Sequence, residues 1–132
     1  MFHADHSAIA VAAHLLVAFL FIWTGIYNAS SVERTRQRTE VFAKLGLPFP
    51  RLILWSGYVL QWTGGVMVLI DWHAGIGAVL LIAFTVAAEI TFHNYWAMTD
   101  PLRRAYHRLL FLNNCGVLGG LLLIAEPTIL GL

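Results

Sequence analysis

The sequence predicts an all-α fold: an integral membrane four-helix bundle with four transmembrane helices and both termini on the outer side. Three observations lead there. Of the 132 residues, 59% are hydrophobic and 11% charged, with a mean hydropathy of +0.73, whereas soluble domains carry roughly 25% charged residues. The apolar residues gather in four long stretches, at about residues 9–27, 52–70, 75–93 and 107–125. All eight Lys and Arg fall in, or at the edge of, only two of the connections between these stretches. Each stretch approaches the roughly 20 residues that a helix needs to cross about 30 Å of hydrocarbon. Strands are a poor alternative, because an open sheet cannot satisfy its backbone in lipid.

Taken in order, the first stretch is read as a retained helix and not a cleaved leader. Met1–Ser7 contains Asp5 and two histidines but no Lys or Arg, so the basic segment of a signal peptide is missing. The connector 28–50 follows, with Arg34, Arg36, Arg38 and Lys44, and Arg51 lies just beyond it. Ser30 or Ser31 is placed to cap a short polar helix starting near Glu33, and Gly46 with Pro48 to end it. That helix is expected as a solvated connector at the cytoplasmic surface, its arginines suited to anionic lipid. The short turn Asp71–Ala74 makes the second and third helices antiparallel neighbours. Arg103 and Arg104 occupy the connection before the fourth, Arg108 lies at its very start, and Pro127 is expected to end it. Under the positive-inside rule both basic connections face the cytoplasm, and Trp55 and Trp96 on one side and Trp72 on the other act as interfacial anchors. The whole chain, residues 1–132, reads as a single domain.

Small residues mark where helices approach closely: Gly57, Gly64 and Gly65 on the second, and Gly116 with Gly120, a GxxxG pair, on the fourth. Gln61 in mid-membrane is expected to bond across helices. A net charge of +1 gives no reason to propose nucleic-acid binding. The single Cys115 excludes an intrachain disulfide. No nucleophile–base pair, phosphate loop or zinc motif is present, which argues against an autonomous hydrolase or transferase and gives no metal assignment.

Ionisable groups inside membrane spans cost a few kcal/mol each, so they are functional candidates. Glu89 and His93 are four residues apart, on one helical face. His107 and Asn114 are seven apart on the next helix, with Asn114 at the depth of Glu89, and Asn28 reaches the same end. Together they predict a polar pocket in the cytoplasmic half. Three occupants fit it: an internal hydrogen-bond network with Glu89 protonated or paired to His93 or an arginine, a quinone-like headgroup, or a metal or haem at His93 and His107. His14, in the outer half, reads as a lone packed or water-lined histidine.

Several phrases resemble the DoxX family: Thr24-Gly25-Ile26-Tyr27-Asn28, Gly46-Leu47-Pro48-Phe49-Pro50, Gly64-Gly65, Phe92-His93-Asn94-Tyr95-Trp96, Asp100-Pro101, and Phe111-Leu112-Asn113-Asn114 followed by Gly119-Gly120. The resemblance implies a small four-helix protein of the bacterial inner membrane. The family's name comes from subunits of quinol oxidase and thiosulfate:quinone oxidoreduction. It therefore implies an accessory subunit of a quinone-linked redox complex, with quinone as the cofactor nearby, other membrane subunits as partners and His93, Asn94, Trp96 and Asn114 as motif residues. Many relatives carry a lysine at Asn28, an acid at Gln61 and a lysine at Asn113. If the first two pair, a neutral Asn28–Gln61 pair replaces an ion pair here. The sequence leaves two other roles open: a purely structural or assembly subunit of a larger membrane complex, packing by the GxxxG face of helix four and the aromatic belt with no ligand of its own, and, ranked last, a small-solute transporter; a homo-oligomer is left open as well.

Overall fold

A computed structural model describes residues 5–132; Met1–Ala4, part of the segment read above as lacking a basic leader, lie outside the described residues. Among the described residues five α-helices follow one another: α1 Ala8–Ala29, α2 Val32–Lys44, α3 Pro50–Leu69, α4 Ala74–Phe92 and α5 Pro101–Leu130, with one 3-10 turn, Tyr95–Ala97, before the last. Helices α1, α3, α4 and α5 are long and apolar enough to cross a membrane. Their starts follow from local chemistry. The hydroxyls of Ser7 and Ser31 and the carboxylate of Asp100 accept from backbone N–H groups three residues on, at 3.2, 3.2 and 3.3 Å. Pro50 and Pro101 occupy first-turn positions, where a missing N–H costs nothing.

Helix α3 packs between α1 and α4, α4 packs on α5, and α1 meets α5 across a lighter contact. The core is built from Ala18, Phe21, Val68, Ala78, Leu81, Leu121 and Ala125. Large apolar side chains such as Leu16, Phe19, Val59, Ile90 and Leu123 point outward. In water this would be a liability; in lipid it is the expected outer face. Association then rests on close backbone approach. A β-carbon at Gly64 would come within 2.9 Å of the Gly77 carbonyl, and one at Gly65 within 2.9 Å of Ile22. Gly25 is equally tight against Trp62. By contrast, an added β-carbon at Gly116 would meet nothing within 4 Å and one at Gly120 only Val17, so the GxxxG pair does not form a tight contact between helices of this chain.

Two expectations need correction. Helix α5 starts at Pro101, ahead of the apolar stretch, because Arg103 and Arg104 ride on its polar first turns. It also continues through Pro127 to Leu130 and ends at Gly131, whose φ of +68° closes it. Pro127 removes one backbone donor close to the end, and Thr128 of the last turn sits directly against Gly75 at the start of α4. The other correction concerns α2, which is more than a solvated connector. Its outer charges pair among themselves: Arg36 donates to Glu33 at 2.6 Å and to Glu40. Its inner face, with Thr35, Arg38 and Phe42, packs on the bundle. Phe42 meets Phe92 edge-on, with ring centroids 5.4 Å apart.

Three non-glycine residues adopt left-handed backbone: Phe49 at φ 49°, Asp71 at 55° and His73 at 49°. Phe49 is the entry to α3, has no side-chain cap and leaves its ring 75% exposed.

Candidate functional site

The basic end of the bundle gathers most of the polar residues singled out from sequence. Glu89 is carried inward by α4 and is only 5% exposed. Asn114 Nδ2, from the facing turn of α5, donates to Glu89 Oε1. The other carboxyl oxygen, Oε2, is buried and has no hydrogen-bond partner among the described residues. An unpartnered buried acceptor costs about 1–3 kcal/mol, more if charged, so it needs a physical reason.

His93 does not stay with Glu89. Helix α4 ends at Phe92, and His93 caps it with φ −116°, its N–H reaching the Glu89 carbonyl at 3.1 Å. That step off the helix turns the imidazole to α5, where its Nδ1 lies 3.0 Å from Nδ1 of His107. Two facing ring nitrogens can bond only if one carries the proton and the other accepts it. The expected Glu89–His93 face thus separates into two cross-helix pairs, Glu89–Asn114 and His93–His107.

Asn94 and Trp96 have a different place. Asn94 precedes the 3-10 turn and its carbonyl accepts from Ala97 N–H at 3.0 Å. Tyr95 and Trp96 both meet Phe111 edge-on, at 5.6 and 5.9 Å, so the turn is clamped onto α5. Trp96 is 54% exposed, as an interfacial residue would be.

Asn28 and Gln61 do not form the expected pair. Gln61 is buried, and its Nε2 donates at 2.8 Å both to the Phe21 carbonyl and to Thr24 Oγ1 on α1. Asn28, one turn beyond Thr24, instead accepts from Arg38 Nη2 at 3.2 Å. Sequence reasoning missed Arg38 as a site residue. Its guanidinium lies 4.9 Å above the Phe92 ring, and burial pulls its pKa below the ordinary arginine value. The available signal was the spacing Thr35, Arg38, Phe42, which puts all three on one face of α2. Tyr58, also missed, is within electrostatic reach of Arg38 and keeps a buried hydroxyl with no hydrogen-bond partner among the described residues.

The opposite end holds a second group. His14 is not a lone histidine: its Nε2 lies 4.0 Å from Asp71 Oδ1, and its ring centroid 4.8 Å from that of His6.

Four apolar helices around a small buried polar group define a multi-pass membrane protein of the compact four-helix type. The DoxX family model matches residues 9–94, from α1 to just past the end of α4, and the chain belongs to that family. His107 and Asn114 lie beyond the matched segment. The chain is also similar to inner membrane protein YphA of Escherichia coli (strain K12), 26% identical over 124 residues that cover 94% of this chain and 86% of that protein. No solved structure matches it. It is a multi-pass protein of the inner membrane.

Proposed function

We propose that the protein is an accessory membrane subunit, or a partner, of a quinone-linked redox complex, and that the Glu89–Asn114 and His93–His107 pairs contact the quinone headgroup. The observation that carries this reading is Glu89 Oε2, buried beside Asn114 and left without a hydrogen-bond partner among the described residues. Quinone carbonyl oxygens accept hydrogen bonds and take up protons on reduction. A carboxyl, an amide and an imidazole pair are groups able to supply and move them. The electron carrier belongs to another chain. The basic end, with Arg38 folded over it, faces the cytoplasm in this reading.

The test is to purify the chain from native membranes in mild detergent and identify co-purifying proteins and quinones by mass spectrometry. A dehydrogenase, cytochrome or oxidase at fixed stoichiometry supports the reading. Bound quinone that is lost in Glu89→Gln and Asn114→Leu assigns it to this site. A second reading, a purely structural assembly subunit, is favoured by the open small-residue face of α5 at Gly116 and Gly119. It predicts a stable partner that survives both substitutions, with no quinone bound. A reporter fused after Leu132 tests the orientation, and activity in the cytoplasm overturns it.

A further inference from the structure

Three residues far apart in sequence meet at the end of the bundle opposite the basic one. His6 precedes α1, His14 lies on its second turn, and Asp71 sits in the α3–α4 turn. Their ligand-type atoms all lie within 4.8 Å of one another. The His14 side chain is 8% exposed, that of Asp71 18% and that of His6 35%, so the group is sunk into the protein on one side and open on the other.

The hydrogen bonding fixes which atoms face the centre. His14 Nδ1 stands 2.8 Å from the Ala10 carbonyl. A carbonyl can only accept, so Nδ1 carries the proton, and in the neutral ring Nε2 is the nitrogen with an electron pair. That nitrogen faces Asp71 Oδ1 at 4.0 Å. His6 Nε2 stands 3.3 Å from the same oxygen, in hydrogen-bond contact with it. A histidine that gives its remote N–H to a backbone carbonyl while its other nitrogen faces a carboxylate is the arrangement that orients a metal-ligating imidazole. With bonds of about 2.0–2.1 Å, two ligands of a tetrahedral ion lie about 3.3–3.4 Å apart. The His6–Asp71 spacing of 3.3 Å matches that value and the His14–Asp71 spacing of 4.0 Å exceeds it, so closure asks for a side-chain shift that brings the Asp71 carboxylate closer to His14.

Asp71 is placed by backbone as well as by side chain. It holds φ 55°, a conformation that aspartate tolerates better than most residues, and its N–H reaches the Val68 carbonyl at 3.3 Å. The turn thus presents the carboxylate to the start of α1.

We propose that His6 Nε2, His14 Nε2 and an Asp71 carboxyl oxygen bind one divalent ion of the zinc class, with solvent completing the coordination on the exposed side. Two imidazoles and one carboxylate suit zinc and its neighbours; calcium and magnesium call for six or more oxygens. The site is separate from the Glu89 group and independent of its role. Its direct effect is to tie the chain before α1 to the α3–α4 turn.

The experiment uses the full chain in detergent, stripped with a chelator, and titrates Zn2+ against a chromophoric competitor. One ion per chain is expected, with affinity at least tenfold weaker in His6→Ala and in Asp71→Asn and unchanged in His73→Ala. Co2+ in place of Zn2+ should give the visible bands of a four- or five-coordinate ion. Zn2+ should raise the Tm of the wild type and not that of Asp71→Asn. His14→Ala is informative only if its circular dichroism matches the wild type, which is why His6 and Asp71 carry the test. Equal binding by the wild type, His6→Ala and Asp71→Asn, or absence of one-to-one binding, overturns the proposal.

Discussion

The two polar groups at the ends of the bundle are assembled in different ways. At the basic end, Glu89 and Asn114 come from the interiors of neighbouring helices, and register alone brings them level. At the other end, His6, His14 and Asp71 come from a pre-helix segment, a helix and a turn, joined across 65 residues of chain. The first group therefore depends on helix packing, and the second on where the segment before α1 and the α3–α4 turn lie. Damage to the packing should reach both; damage to either group should stay local.

The largest effect is expected at the helix crossing between them. Gly64→Val drives a side chain against the Gly77 carbonyl and Leu81, and should cost about 3 kcal/mol, the upper end for overpacking, with loss of structure at both ends. Thermal unfolding in detergent measures it. Asn114→Leu comes next. It leaves the buried carboxyl of Glu89 without its one partner and should cost about 1–3 kcal/mol. Zinc affinity at the far end should stay unchanged, and a parallel drop there would show that the two ends are coupled. Gln61→Leu removes two hydrogen bonds to α1 and should cost about 1 kcal/mol, since interhelical bonds in membranes average about 0.6 kcal/mol each. Arg36→Ala should be smallest, with no measurable change in Tm, because its pairs with Glu33 and Glu40 lie on the exposed side of α2.

Much of this architecture was legible in the sequence. Hydropathy placed four spans because lipid imposes their length, and Ser31 announced α2 by capping chemistry. The level pairing of Glu89 with Asn114 follows from antiparallel neighbours joined by a short connection. The fate of His93 did not, because a four-residue spacing assumes a helix that continues, and this one stops at Phe92. Arg38 was hidden by composition: α2 is polar overall, and a hydropathy scan does not show that one arginine turns inward while Arg36 turns out. The His6–His14–Asp71 group had no local signal, since no motif spacing links a pre-helix residue to a distant turn. Pro127 misled because a proline is read as a stop, although near a helix end it removes only one donor.

Phe49 shows where this fold accepts a cost. A bulky residue in left-handed backbone carries about 1–3 kcal/mol of strain, and glycine would adopt the same φ without it. The ring that imposes the cost is not packed in the core but stands outside, beside Pro50 at the head of α3. Phe49→Gly should therefore give a more stable protein in detergent and a more loosely seated one in a bilayer. For this residue, thermostability in micelles and depth of anchoring in the membrane would move in opposite directions, and screening for the first would select against the second.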